Sequence, residues 1–139
     1  MREHKFKVWD KTHEEWLEIG GDYFLTYSDG KLVVIQGDEH WAAELEDIEI
    51  VEYTGFKDKN CNEAYEGSLI PYNFNNKKIG VVKYGEYKNI CDDQHASHVG
   101  FYVEWQDEEL RSMLRKDLGF WLKVSSVVGH IYENPELLE

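Results

Sequence analysis

Along most of this chain apolar and polar residues alternate one for one, the period of a strand with one buried face. Phe6 and Val8 alternate with Lys5 and Lys7, which predicts a first strand over His4 to Trp9 before the turn chemistry of Asp10-Lys11-Thr12. Trp16 to Ile19 is a short apolar piece stopped by Gly20-Gly21, a pair that reads as a bulge or turn because neither lysine nor helix follows it. Asp22 to Tyr27 and Lys31 to Gln36 flank Ser28-Asp29-Gly30, and Asp-Gly tolerates the positive φ of a tight hairpin. Ile48 and Ile50 alternate with Asp47 and Glu49, extending the chain into Tyr53. Thr54-Gly55 then breaks the strand, Lys57 to Asn62 forms an exposed polar loop, and Ala64 to Ile70 leaves as the next strand around Gly67.

Two segments switch to the helical period. Trp41, Leu45 and Ile48 permit a short helix over Asp38 to Leu45, capped by Asp38. Asp107 to Leu118 is the amphipathic helix, with Leu110, Met113, Leu114 and Leu118 recurring at three and four, Asp107 capping and Gly119 ending it. Elsewhere Pro71 ends any central pairing, Asn73 to Lys78 is an exposed turn, and Ile79 to Tyr84 and Val99 to Trp105 are strands. Lys123 to Tyr132 returns to β-type residues, and Asn134-Pro135 opens a last turn with asparagine capping and proline preset. Strands dominate, so the expected fold is mainly β, a β-rich α+β chain forming a single domain over 1–139.

Charge changes the picture of partners. The 15 Lys and Arg stand against 28 Asp and Glu, a net charge of −13 that repels phosphate backbones and anionic headgroups. Nucleic-acid and membrane-surface binding are therefore disfavoured, and a basic partner is favoured. Glu44, Glu46, Asp47, Glu49 and Glu52 form an acidic stretch, while Lys57, Lys59, Lys77, Lys78, Lys83 and Lys88 gather in the middle third. No window approaches the roughly 18 apolar residues of a membrane span. Two cysteines, Cys61 and Cys91, with no leader ahead of the first strand, point to a reduced, cytoplasmic protein.

Three segments, taken in order, resemble the YopX-like family of phage and prophage proteins: REHKFKVWD at Arg2 to Asp10, YTGFKDKNCNEAYEGSLI at Tyr53 to Ile70, and VVGHIYENPELL at Val127 to Leu138. The resemblance implies a small barrel-like, SH3-like β core, phage or prophage origin, and no established activity. Within its segments Gly55, Tyr65, Gly67, Asn134 and Pro135 are expected to shape the structure. Cys61 stands where glycine is usual in the family, Ser68 where aspartate is usual, and His130 where asparagine is usual.

Candidate chemistry is thin. Cys91, Asp93, His95 and His98 in CDDQHASH are ligand types for zinc or manganese, but no second ligand pair stands at a compatible spacing. No nucleophile signature and no phosphate loop is present, so neither a cofactor nor a catalytic residue is expected. Of the aromatics, most fill a core, and Trp41 and Trp105 are those to examine for exposure. The expected function is a non-catalytic module that binds a host or phage protein, with oligomeric state open. Two alternatives compete: a nucleic-acid-associated barrel or nucleic-acid mimic, with Lys57 and Lys77 beside exposed aromatics, and a metal-dependent enzyme using residues 91–98.

Overall fold

A computed structural model describes residues 4–38, 40–72, 75–89 and 96–139. The fold is mainly β with two short helices, and the chain divides into two compact units.

The smaller unit is Lys5–Val51. Its β1 (Phe6–Asp10) and β2 (Glu15–Leu17) pair antiparallel, with Val8 opposite Leu17. Asp10 Oδ1 closes the turn between them by accepting the Thr12 and His13 amides at 2.9 and 3.3 Å. Next come β3 (Tyr23–Ser28), β4 (Lys31–Gly37) and β5 (Ala42–Glu44), a meander in that spatial order. Asp29 and Gly30, at φ 54° and 77°, make the tight β3–β4 turn that Asp-Gly predicts. The helix expected over Asp38 to Leu45 is absent, because β5 pairs with β4 there. Asp38 does cap, but it caps a turn: its Oδ1 accepts the His40 and Trp41 amides at 2.8 and 3.0 Å. Strand β6 (Ile48–Lys57) begins in this unit and carries the chain out of it.

The larger unit is Glu52–Glu139 with Met1–His4. Here β6 continues through Thr54-Gly55 instead of stopping, since Gly55 at φ 88° lies where the register slips against β7 (Glu63–Tyr65). Then follow β8 (Ser68–Tyr72), β9 (Asn75–Lys88) and β10 (Ser97–Trp105), which with β11 (Gly129–His130) form a sheet ordered β10-β9-β8-β11. Pro71 lies within β8 opposite Ile79 and does not end the pairing, although the register shifts immediately after it. The turn expected over Asn73 to Lys78 is largely strand, because β9 already starts at Asn75; residues 73–74 lie outside the described part.

The predicted long helix is two helices, α1 (Glu108–Met113) and α2 (Leu118–Val124). Asp107 caps α1 as expected, its Oδ1 accepting the Leu110 amide at 3.1 Å, but Leu114 is extended and Gly119 lies inside α2. Tertiary bonds overrode the sequence period: the Lys116 carbonyl accepts from Val103 N, and the Arg115 carbonyl accepts from the Trp121 indole at 2.8 Å. Both helices serve one core of Ile70, Val82, Val103, Trp105, Leu110, Leu118, Trp121 and Leu122. Trp105 is fully buried there and Trp41, in the other unit, is exposed. The chain ends in a short 3₁₀ helix, Pro135–Leu138.

Gly67 turns β7 into β8 at φ 91°, and a Cβ on it would stand 2.6 Å from His130 Nε2 and 3.2 Å from Ile131 Cγ1. Gly67→Val therefore meets both a forbidden backbone and a filled space, and is expected to cost about 3 kcal/mol or more. Urea denaturation measures it; a midpoint equal to wild type would contradict this packing.

Candidate functional site

The family-like residues of the centre and the end of the chain meet in the larger unit, and they meet as structure. Ser68 Oγ accepts the Tyr65 amide at 2.9 Å, a bond an aspartate could also make, and the Tyr65 and Tyr53 rings lie 5.4 Å apart. The His130 ring is 2.8 Å from the Glu66 carbonyl through Nε2 and 3.2 Å from the Tyr132 amide through Nδ1. An amide can only donate, so Nδ1 accepts and Nε2 carries the proton to Glu66 O. Asn134 does not cap the 3₁₀ helix with its side chain; its Oδ1 instead accepts the His130 amide at 3.2 Å, with Pro135 opening the helix behind it. Cys61 is exposed and left-handed at φ 65°, a conformation that suits glycine better.

Two carboxylates that composition hides among 28 acidic residues turn out to be structural. Asp58 is buried inside the loop expected to be wholly exposed, and accepts from the Asn60 and Asn62 amides at 2.8 and 2.9 Å and from Val127 N at 2.7 Å. Burial opposes its charge, but these bonds outweigh burial and hold its carboxyl below the usual range. Asp117, between the helices, accepts from Tyr87 Oη at 2.8 Å, Asn89 Nδ2 at 2.9 Å and the Arg115 guanidinium at 2.9 and 3.1 Å. Burial again opposes, and these bonds again win for Asp117, while burial and that same carboxylate push the Tyr87 hydroxyl up to about 12.

Of the predicted metal ligands, His98 lies on β10 with its ring stacked 5.3 Å from that of Tyr87, whereas Cys91, Asp93 and His95 fall outside the described residues. Among the described residues the ligand atoms that do come together are those of Asp10, His13 and Glu15, all within 4.8 Å. That trio sits on the exposed β1–β2 turn, where His13 Nδ1 already meets Asp10 Oδ2 at 2.8 Å, an ion pair that raises the imidazole pKa and lowers the carboxyl. Its spacing of three and two was visible in the sequence, but only the turn makes it a cluster.

The acidic stretch does form a concave feature. Glu44, Glu46, Asp47 and Glu49 line a groove of about 380 Å³ in the smaller unit, with Lys31 as its one cation and Leu32, Leu45, Ile48 and Ile50 among its apolar walls. Lys11 reaches Glu49 at 2.7 Å, leaving the other three carboxylates of the groove exposed.

Comparison with known proteins gives a family and a fold. Residues 5–139 match the family model of the YopX protein. The structure is similar to the crystal structure of protein EF1440 from Enterococcus faecalis, with 22% identity, a TM-score of 0.57 and both chains covered in full. It is also similar to that of protein yopX from Bacillus subtilis, with 17% identity and a TM-score of 0.54 over 100% of this chain and 98% of the other. No curated protein matches the sequence.

Asp58 links the central loop to Val127, so Asp58→Asn puts an NH₂ where amides donate and should cost about 1–3 kcal/mol at neutral pH. Because the folded pKa is depressed, the carboxylate stabilises above the unfolded value and ceases to as pH falls through the folded one. The wild-type advantage should therefore narrow below about pH 4, read from denaturation midpoints across the acid range. A gap that stays constant with pH would show that the charge is not what holds the loop.

Proposed function

The chain belongs to the YopX family, and from that premise we propose that it acts as a non-catalytic protein-binding module, an accessory protein of phage or prophage origin working in the cytoplasm of a bacterial host. Its partner is a host or phage protein that presents a basic segment. One observation carries this reading: the groove of Glu44, Glu46, Asp47 and Glu49 gathers four carboxylates over apolar walls, with Lys31 the one cation of its lining among the described residues and Lys11 paired to Glu49. Lysine or arginine side chains seat their aliphatic stems on such walls while their heads meet the carboxylates. The net charge of −13 adds long-range attraction for the same partner, which speeds encounter at low salt.

A fluorescein-labelled Lys-Leu-Lys-Val-Lys peptide tests the groove by anisotropy. Saturable binding that weakens with added salt is expected, and Glu44→Lys/Glu46→Lys should reduce affinity by about tenfold or more. Both residues are exposed, and thermal melting checks that the variant folds. Affinity indifferent to that double reversal would remove the groove as the binding site.

A further inference from the structure

The larger unit carries a groove of the opposite character. It has a volume of about 510 Å³ and is lined by Phe56 and Lys57 from β6, Arg115 and Asp117 from the link between the helices, and Gly119, Phe120, Leu122 and Lys123 from α2. Phe56 and Phe120 are 46% and 41% exposed, high for phenylalanines beside a packed core. The Phe56 ring lies over Gly119 at the start of α2, within ordinary contact distance of where a Cβ would stand.

Its cations divide into two kinds. Arg115 is committed: Asp117 holds its guanidinium, which lies 5.0 Å from the Phe120 ring and so widens the aromatic surface without adding free charge. Lys57 and Lys123 are exposed, and neither is held by a carboxylate among the described residues. Glu63 stands opposite Lys57 in the strand register, so Lys57 is in part compensated, while Lys123 is not. In a chain of net charge −13 this is a local reversal of sign placed beside exposed aromatic rings.

We propose that this groove binds a short acidic segment of a partner protein, an apolar side chain seated between Phe56 and Phe120 and flanking carboxylates on Lys57 and Lys123. Burying the two rings supplies the hydrophobic contribution, and the lysines select the charge of the flanking residues. A nucleic-acid strand fits less well, because two lysines neutralise few phosphates while the field of the whole chain repels the rest. The inference is independent of the acidic groove, which uses other residues in the other unit.

The test is anisotropy of a fluorescein-labelled Glu-Phe-Glu-Leu-Glu peptide with the intact chain. Saturable binding is expected, weakened about tenfold or more by Lys57→Glu/Lys123→Glu and by replacing the peptide's Phe and Leu with Ser. Phe120→Ala should weaken it too, with thermal melting confirming that each variant folds. Glu44→Lys/Glu46→Lys should leave this binding at least as tight, which separates it from the acidic groove. No binding of the peptide, or binding untouched by the lysine reversals, overturns the proposal. Tighter binding of an oligothymidylate than of the peptide overturns it in favour of a nucleic-acid ligand.

Discussion

The larger unit depends on the burial of one side chain, the indole of Trp105. It lies against Gly80 on the neighbouring strand, where a Cβ would collide with Val103 and come within 3.0 Å of the indole itself. Around it the Tyr72 and Trp121 rings stand edge to face at 5.8 and 4.9 Å, a geometry that adds to the area buried. Both helices exist to cover this cluster. Arg111 Nε donates to the Trp105 carbonyl at 2.9 Å and anchors α1, while Trp121 brings α2 across the same rings. The contact is not free of cost, because Trp105 Nε1 is buried with no acceptor among the described residues, a loss of about 1–3 kcal/mol.

That constraint explains where the helices break. A single helix over Asp107 to Leu118 satisfies the three-and-four spacing of its leucines, but the link between the two helices instead gives the Lys116 carbonyl to Val103 N and the Arg115 carbonyl to the Trp121 indole. The chain instead extends at Leu114, and Asp117 fixes the extended link by binding Tyr87, Asn89 and Arg115. Asp58 does the corresponding work elsewhere, tying its loop to Val127 across 69 residues of sequence. In each case one carboxylate, buried at Asp58 and part-buried at Asp117, satisfies several donors at once, and the depressed pKa is the sign that the donors outweigh desolvation.

Features set by local chemistry were legible in the sequence. Asp29-Gly30 makes a tight hairpin at positive φ, Gly67 turns the chain at a φ that favours glycine, and Asp107 caps the helix that follows. Features set by distant partners were not. Asp58 folds its own loop through the Asn60 and Asn62 amides, but nothing near it says that Val127 will bury it, and the Asn134 amide oxygen serves His130 rather than the 3₁₀ helix. The strand β5 was misread for a related reason: Asp38 is a good cap, and only pairing with β4 decides whether it caps a helix or a turn. For the candidate site, charge was readable as a run at Glu44 to Glu49, but concavity was not, since Lys31 and Leu32 reach the same groove from a different strand.

Taken unit by unit, charge is sorted against the average of the chain. The smaller unit concentrates carboxylates where apolar walls are open, and the larger unit places Lys57 and Lys123 where Phe56 and Phe120 are open. Uniform repulsion would follow from −13 spread evenly, and it would favour solubility alone. Sorting does more, because a partner is attracted over a distance by the net field and then discriminated at contact by the local sign. A basic segment meets agreement at both ranges in the acidic groove. An acidic segment is repelled at long range and held only at contact by the larger unit's groove, so its association should be the slower of the two and should quicken, not slow, as salt screens the net charge.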